Sequence, residues 1–237
     1  GERHLAGAIA LSRAANWNQS EADWNMMLRL GQGFGLSSAA GSLLASVMVL
    51  PYGDAFAWIS MVLVAPEHRR LGYGSRMLRR ALAYLQSRGL TAVLDATPAG
   101  HEVYVREGFC DTWSFQRYSL PETQPASGWQ DISGLKLRRV VETDWPQILD
   151  MDLLAFGASR EGLLRALAAR LPEAALVVQR GNEIRGYLFG REGREARQLG
   201  PLVATDLPAA QALLSHALKR VSAPLYIDIV DRHTSLR

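Results

Sequence analysis

Several common features are scarce or missing in this sequence of 237 residues. It contains a single cysteine, Cys110, so no disulfide can form within the chain. Its main apolar stretch, residues 59–66, is far too short to cross a bilayer, which takes ~20 residues. No run of lysine or arginine is present and the formal net charge is only +3, which argues against a nucleic-acid-binding tail. The start, GERHLAG, is polar and shows no signal-peptide pattern.

These absences predict a cytoplasmic protein with neither membrane nor nucleic-acid partners, present as a monomer or a homodimer. The composition, 48% hydrophobic and 21% charged, is typical of a folded protein with one large domain or two smaller ones. The basic residues are mostly arginine, whose forked guanidinium suits phosphate or carboxylate binding, although most of them are expected to be solvated. We expect Cys110 to be a buried, inert thiol, because no histidine lies near it in the sequence.

Hydrophobic periodicity predicts alternating helices and strands in the first half of the chain. Residues 4–30 are expected to form two helices, the second of them capped by Ser20. Apolar side chains share one face over residues 75–88, which indicates a helix that Gly89 ends. The other predicted elements are strands near residues 34–40, 43–50 and 56–64, a buried strand in TAVLDA and a short helix in HEVYVREGF.

The segment SLPETQPASGWQDISG is rich in proline, serine and glycine and is the best candidate for a linker. Beyond it the same reasoning predicts, in order, a strand at 135–140, helices near 144–154 and 159–170, strands in ALVVQ, RGYLFG and RQLGPLVAT, a helix at 207–221 and a strand in PLYIDIV. We therefore divide the chain into a first domain at 1–120, a linker at 121–134 and a second domain at 135–237.

The two halves contain an internal repeat. ISMVLVAPEHRRLGYGSRMLRRALAYLQSRGLTAVLDA and RQLGPLVATDLPAAQALLSHALKRVSAPLYIDIV share a strand–turn–helix–strand pattern in which Val203 corresponds to Val64. The second copy is shorter at the turn and lacks both glycines and both arginines found there in the first. The repeat predicts two similar folds in tandem, of which only the first keeps the phosphate-type turn.

The turn between the strand ending at Val64 and the helix near Ser75 predicts an anion site. Backbone N–H groups at a helix start have no partner within the helix and carry partial positive charge. Gly72 and Gly74 lack a Cβ, so a phosphate group can approach the backbone there. Arg69 and Arg70 can add charge at the rim. The alternative is a tight turn with solvated arginines.

Other phosphate motifs fit this turn poorly. The P-loop string GxxxxGK[ST] is missing, and Gly72-Tyr-Gly74 lacks the third small residue of a dinucleotide fingerprint. The pattern R-x-x-G-x-G after a strand, with HEVYVREGF downstream, resembles the GNAT superfamily of acyl-CoA-dependent N-acyltransferases. WISMVLVAPEHRRLGYG and LDATPAGHEVY are similar to a bacterial branch of that family with a second, degenerate GNAT-like domain. The resemblance covers nearly the whole chain and implies two α/β domains in tandem, each a central mixed sheet flanked by helices.

The resemblance implies roles for individual positions in binding acetyl-CoA, the acyl-donor substrate. Backbone amides of Val62, Leu63 and Val64 would hold the pantetheine arm and polarise the thioester carbonyl. Thr97 stands where many family members have an asparagine that contacts coenzyme A. Tyr104 corresponds to the general acid that protonates the departing thiolate, unless it is only a core aromatic residue. The pyrophosphate would be bound by the turn residues Arg69, Arg70, Leu71, Gly72, Tyr73, Gly74 and Ser75.

The base and the acceptor site are less defined by the sequence. Asp95 is the first candidate for the general base, with Glu102 second, while a turn role for Asp95 and a water chain as base remain open. Candidate acceptor contacts are Trp17, Trp24, Asp152 and Arg160, each with an alternative role in helix packing or in a salt bridge. His68 and His101 lack paired metal-ligand spacing, so no metal is expected.

The resemblance implies an N-acetyltransferase that transfers acetyl from acetyl-CoA to a primary amine, of a small molecule, by direct attack in a ternary complex. Two alternatives stay open: an acyl-CoA-binding sensor without turnover, and a protein N-acetyltransferase. The second domain is expected to shape the acceptor site, stabilise the first domain or mediate dimerisation.

Overall fold

The computed structural model describes residues 4–122 and 134–231. Contacts divide the chain into two compact units, with the division between Asp111 and Thr112. The predicted linker lies mostly outside the described residues, which resume at Gly134. The mixed α/β fold predicted from the sequence is confirmed in both units. Cys110, expected to be buried, is exposed.

The first unit is a four-stranded sheet with helices on both faces. The strand order is β1-β2-β3-β4, antiparallel except for the parallel pair β3 and β4. The elements are, in chain order, α1 (Leu5–Ala14), α2 (Glu21–Leu30), β1 (Gln32–Ser37), β2 (Leu43–Tyr52), β3 (Phe56–Val64), α3 (Tyr73–Gln86), β4 (Thr91–Leu94) and α4 (Pro98–Arg106).

Helices α1 and α2 pack together on one face of this sheet. Ser20 caps α2, as predicted: its hydroxyl accepts from the amide of Asp23, and the Asp23 carboxylate accepts from the amide of Ser20. Trp24 is only 2% exposed and its indole N–H donates to the hydroxyl of Ser12 in α1 at 2.8 Å. The buried aromatic ring therefore joins the two helices.

Strand β3 contains one residue more than the stretch of β2 that it pairs with. Ser46 lies opposite Leu63 and Met48 lies opposite Ser60, so Met61 and Val62 together face a single residue of β2. This is a β-bulge, and Met61 adopts a left-handed backbone with φ of 51°. The extra residue also changes which face each side chain meets.

The change of face is visible in the two apolar clusters of the first unit. Before the bulge, Ala57 and Ile59 pack with α3; after it, Met61 and Leu63 pack with α1 and α2. Helix α3 supplies the larger part of the first cluster, through Met77, Leu78, Ala81 and Leu85.

The sheet opens next to the bulge. The parallel pairing of β3 with β4 covers four positions, from Phe56 with Thr91 to Ile59 with Leu94, where β4 ends. Beyond Ile59, the edge of β3 that faces away from β2 has no strand beside it within residues 4–122 and 134–231.

The second unit has a six-stranded sheet in the order β5-β10-β9-β8-β7-β6. Residues 112–120 were predicted to lie in the first domain, with no strand among them. In the structure they belong to the second unit, because β5 pairs along its whole length with β10. The elements are β5 (Phe115–Leu120), β6 (Lys136–Arg139), α5 (Trp145–Phe156), α6 (Glu161–Arg170), β7 (Leu176–Arg180), β8 (Glu183–Arg191), β9 (Arg197–Ala204), α7 (Leu207–Arg220) and β10 (Leu225–Val230).

The internal repeat extends to the bulge. Leu188 of β8 lies opposite Leu202 and Gly190 lies opposite Leu199, so Gly200 and Pro201 together face one residue of β8. These two residues occupy the positions that Met61 and Val62 occupy in the first unit. The parallel pairing of β9 with β10 likewise stops before the bulge, with Leu199 as the last paired residue of β9.

Candidate functional site

The opened edge of β3 presents two backbone amides. The amide of Ala65 donates to the carbonyl of Leu44 in β2 at 2.9 Å, so residue 65 faces β2. Backbone groups alternate sides along a strand, which turns Leu63 toward β2 and Val62 and Val64 away from it. Of the three residues implied by the resemblance, Val62 and Val64 therefore face the opening, whereas Leu63 belongs to the β2 ladder and to the core.

The turn after β3 leaves the start of α3 without a cap. A short 3₁₀ helix, Pro66–His68, follows the strand, and α3 begins at Tyr73 with no side chain bonded to its first amides. The first bond of the helix runs from the amide of Arg76 to the carbonyl of Gly72 at 3.0 Å. The amides of residues 73–75 therefore lack a partner within the helix, and the helix dipole adds partial positive charge there.

The two glycines keep the space over this helix start open. Gly72 has φ of 78°, a conformation that L side chains rarely adopt, and a Cβ built on it would meet nothing within 4 Å. A Cβ on Gly74 would meet only Cγ2 of Val64, at 3.7 Å. The side chain of Leu71 is 60% exposed beside them. The turn thus has both the donors and the room that an anionic group requires.

The two arginines of the turn differ in their contacts. The guanidinium of Arg69 donates to the carbonyl oxygens of Val64 and Ala14, each at 3.4 Å, and so ties the turn to β3 and to the end of α1. Arg70 is exposed and has a left-handed backbone with φ of 62°. Both charges are exposed, but Arg69 is also held against β3 and the end of α1.

Tyr104 lies on α4 beside the opened strand. Its ring is half-buried in the same apolar cluster as Val62 and Val64 and packs edge-on against Phe109 at 6.1 Å between centroids. Its hydroxyl has no hydrogen bond to any residue that the structure describes. Burial raises the pKa of Tyr104 above the usual 10.0 of a phenol. The hydroxyl is therefore a neutral proton donor at physiological pH.

Thr97 and Asp95 are fixed by local contacts. The hydroxyl of Thr97 caps α4 by accepting from the amide of Gly100 at 3.2 Å. Asp95 directly follows β4, and its carboxylate accepts from the indole N–H of Trp58 at 3.2 Å. Trp58 was not among the predicted site residues, because its pairing with Asp95 spans 37 residues and depends on the register of β3 with β4.

The four proposed acceptor contacts are mostly engaged in packing or ion pairs. Trp24 is in the core between α1 and α2, and Trp17 is half-buried against the same cluster. Asp152 and Arg160 lie in the second unit and bind each other: Arg160 donates three times to the carboxylate, at 2.7, 2.9 and 3.2 Å. None of the four is an open contact surface in its own unit.

The Asp152 carboxylate is the centre of a buried network. It is 1% exposed and also accepts from the hydroxyl of Tyr187, while the guanidinium of Arg160 lies 4.0 Å over the ring of Phe156. Burial disfavours a charged Arg160, yet its bonds to Asp152 raise the pKa of Arg160. Burial, reinforced by Asp152, raises the pKa of Tyr187.

The corresponding helix start in the second unit is already occupied by an acidic side chain. Asp206 caps α7 by accepting from the amide of Ala209 at 2.8 Å, and this bond lowers the pKa of Asp206. Arg185 also donates to its carboxylate. Pro208 lacks an N–H group within the first turn, and Pro201 lacks one at the position that corresponds to Val62. The second unit therefore has neither of the amide sites found in the first.

The part of the chain that the structure describes has neither a metal-binding cluster nor a membrane-spanning helix. Residues 4–122 and 134–231 hold no group of three or more histidine, cysteine, aspartate or glutamate side chains arranged for a metal ion. No helix in those residues has the length and apolar character needed to cross a membrane.

The first unit has an opened mixed sheet with an uncapped, glycine-rich helix start beside it, and a second, degenerate copy follows it in the chain. Together these features define an acyltransferase fold of the GNAT type. The family described as "Acetyltransferase (GNAT) family" matches residues 12–109, and the one described as "Acetyltransferase (GNAT) domain" matches residues 148–237. The chain belongs to the GNAT superfamily of acetyltransferases and carries two such domains in tandem, as the sequence predicted.

Several known proteins are similar over most of the chain. The N-acetyltransferase YitH of Bacillus subtilis, described as uncharacterized, is 27% identical over 99% of this chain and 82% of its own. The holothin acyltransferase of a Pseudoalteromonas species is 24% identical over 88% of this chain and 69% of its own. A tandem GNAT protein from the clavulanic acid biosynthesis pathway has the same fold, with a TM-score of 0.62 at 15% identity over 99% of this chain and 89% of its own.

We predict that Asp152→Asn destabilises the second unit by about 3–5 kcal/mol, because it leaves the buried guanidinium of Arg160 without a counter-charge. The free energy of unfolding would be measured by urea titration of the full chain. Asp150→Asn, on the exposed face of the same helix, is the matched control and is expected to change stability by less than about 0.5 kcal/mol. Equal effects of the two substitutions would contradict a structural role for the network.

Proposed function

We propose that the first unit transfers an acetyl group from acetyl-CoA to a primary amine of a small molecule, by direct attack in a ternary complex. The observation that carries this proposal is the pairing, within one unit, of an opened β3 edge with an uncapped helix start. Membership in the GNAT superfamily and the similarity to an N-acetyltransferase along the chain support it.

The donor would be bound mainly by backbone groups. The amides of residues 73–75, with the dipole of α3, suit the pyrophosphate, and Arg70 lies next to them with its charge exposed. The pantetheine arm, which is itself a chain of amides, would lie along β3 as a further strand does, bonded to Val62 and Val64. Binding through the backbone explains why the turn needs glycines more than it needs particular side chains.

Different groups would act on the carbonyl oxygen and on the sulfur of the thioester. The N–H of Val62 or Val64 would donate to the carbonyl oxygen as negative charge develops there. The amine nitrogen forms a bond to the carbonyl carbon while the carbon–sulfur bond breaks, and the Tyr104 hydroxyl would give its proton to the departing sulfur. Tyr104 suits this role because its raised pKa keeps it protonated and its hydroxyl is not engaged by another described residue.

The proton lost by the amine would go to Asp95, directly or through water. The Trp58 indole holds this carboxylate at the end of β4, next to the point where the sheet opens. Trp58 is two residues before Ser60, whose hydroxyl contacts the sulfur of Met27 in α2 at 3.9 Å, so both face the α1–α2 side of the sheet. The amine would therefore approach from that side, with Trp17 on the same layer of helices.

A small-molecule acceptor is supported by the relative named for acylation of holothin. The second unit, which lacks both amide sites, would contribute shape or stability instead of a second donor site. Asp152 and Arg160 fit the stabilising role, since each satisfies the other inside that unit.

We predict that Gly74→Glu weakens acetyl-CoA binding by at least about 10-fold, because it places a negative charge where the pyrophosphate would bind. The substitution suits the fold itself: a Cβ has room at Gly74, and an acidic residue in the first turn stabilises a helix. The dissociation constant would be measured by titration calorimetry.

Gln86→Glu is the matched control for this measurement, because it adds the same charge at the other end of α3. The control is expected to bind acetyl-CoA as the wild-type chain does. Unchanged affinity of the Gly74→Glu variant would contradict the assignment of the turn, which would then be a strand–helix connection and no more.

We predict that Tyr104→Phe lowers kcat by about 10²–10⁴-fold, as expected for loss of a general acid, with a much smaller change in the KM for acetyl-CoA. Thiol release would be followed with a panel of amines. Burial raises the pKa of Tyr104 above 10.0, so loss of its proton should lower the wild-type rate only above a pH of about 10. Below that pH, the wild-type chain and the variant should have pH–rate profiles of the same shape. A Tyr104→Phe variant with wild-type kcat would remove Tyr104 from the mechanism. Tight acetyl-CoA binding with no turnover on any amine would favour the sensor alternative.

A further inference from the structure

We propose that Ser46 is a positioning residue that aims the N–H of Val62 at the thioester carbonyl. It acts through the Met61–Val62 peptide and does not itself touch the substrate. This inference rests on the proposed function, in which the N–H of Val62 or Val64 donates to the thioester carbonyl. It assigns that role to Val62 and names the side chain that orients it.

Ser46 is an unusual residue for its place in the fold. It lies within residues 45–49 of β2, a stretch that is buried throughout and otherwise apolar, and it is 4% exposed. Its hydroxyl donates to the carbonyl oxygen of Met61 at 3.0 Å. A buried hydroxyl in an apolar strand requires a partner, and here the partner is the backbone of the bulge.

The bulge needs such a partner. Met61 has φ of 51°, in the left-handed region that residues other than glycine rarely adopt. The extra residue also places Met61 outside the paired register of β2 and β3. The Ser46 hydroxyl bonds the carbonyl of this residue and would hold the left-handed conformation in place.

Fixing this carbonyl also fixes the next amide. The peptide unit is planar and trans, so the C=O of Met61 and the N–H of Val62 point in opposite directions. With the carbonyl held toward β2, the Val62 N–H is held toward the opened edge, beyond the last pair of Ile59 with Leu94. A rotation of this peptide would turn the donor away from the carbonyl that it has to stabilise.

The second unit differs at each of these positions, which supports the role proposed for Ser46. At the corresponding positions it has Gly200, which adopts a positive φ of 140° at no steric cost, and Pro201, which has no N–H to aim. At the position of β8 that corresponds to Ser46, it has Leu188, opposite Leu202. The first unit thus has the amide donor, the left-handed non-glycine residue and the serine hydroxyl that bonds it. The second unit has none of the three at the corresponding positions.

The test compares Ser46→Ala with Ser12→Ala in the full chain. Both substitutions remove one buried, hydrogen-bonded serine hydroxyl from the first unit, but Ser12 bonds Trp24 and Ala8 and not the backbone of the bulge. Infrared difference spectra of acetyl-CoA with an isotope-labelled thioester carbonyl would report the hydrogen bond to that carbonyl in each bound complex, without any acceptor. Steady-state kinetics would give kcat and the KM for acetyl-CoA separately.

We expect the wild-type chain and Ser12→Ala to shift the carbonyl band to the same lower wavenumber, and Ser46→Ala to lose most of that shift. We expect kcat to fall about 10- to 100-fold in Ser46→Ala, somewhat less than for removal of a whole oxyanion donor, with the KM for acetyl-CoA changed less than about 3-fold. Identical carbonyl bands in the wild-type chain and Ser46→Ala would overturn the role of Ser46 alone. Failure of the wild-type chain to bind acetyl-CoA would overturn the proposed function and this role with it.

Discussion

The bulge in β3 is the constraint on which the candidate site depends. One extra residue between Ser60 and Leu63 changes the faces of the strand, so that its first part packs on α3 and its last part packs on α1 and α2. Bulges also bend and twist a strand, which accords with the early end of the pairing with β4. The exposed backbone edge and the helix start that follows it are then close along the chain, because eight residues join Val64 to Tyr73.

The two units share one part of this arrangement and differ in another. Both keep the bulge and the divergence of the strands, so those features suit the sheet itself. Only the first keeps an amide at the bulge and an uncapped helix start. In the second, Pro201 removes the amide and Asp206 occupies the helix start with its own carboxylate. A helix end that a protein anion already satisfies has little to offer a phosphate.

Local patterns were enough to predict most of the fold, together with the glycine-rich turn that opens α3. The helix at α3, the glycine pair and the tandem repeat each depend on neighbours in the chain, which periodicity can detect. The features that the sequence did not predict depend on pairings between residues that are far apart in the chain. Strand β5, FQRYSL, has little apolar alternation of its own and forms only against β10. Likewise, the pairing of Trp58 with Asp95 and the burial of Asp152 follow from strand register and helix packing, which no short stretch of sequence displays.

The stoichiometry of donor binding separates the two units most sharply. Equilibrium dialysis of the full wild-type chain against acetyl-CoA would give the number of molecules bound per chain at saturation. We expect one, held by the first unit, because the second lacks both the bulge amide and the open helix start. Two bound molecules would contradict the physical distinction between the units, and none would contradict the assignment of the opened β3 edge as a donor site.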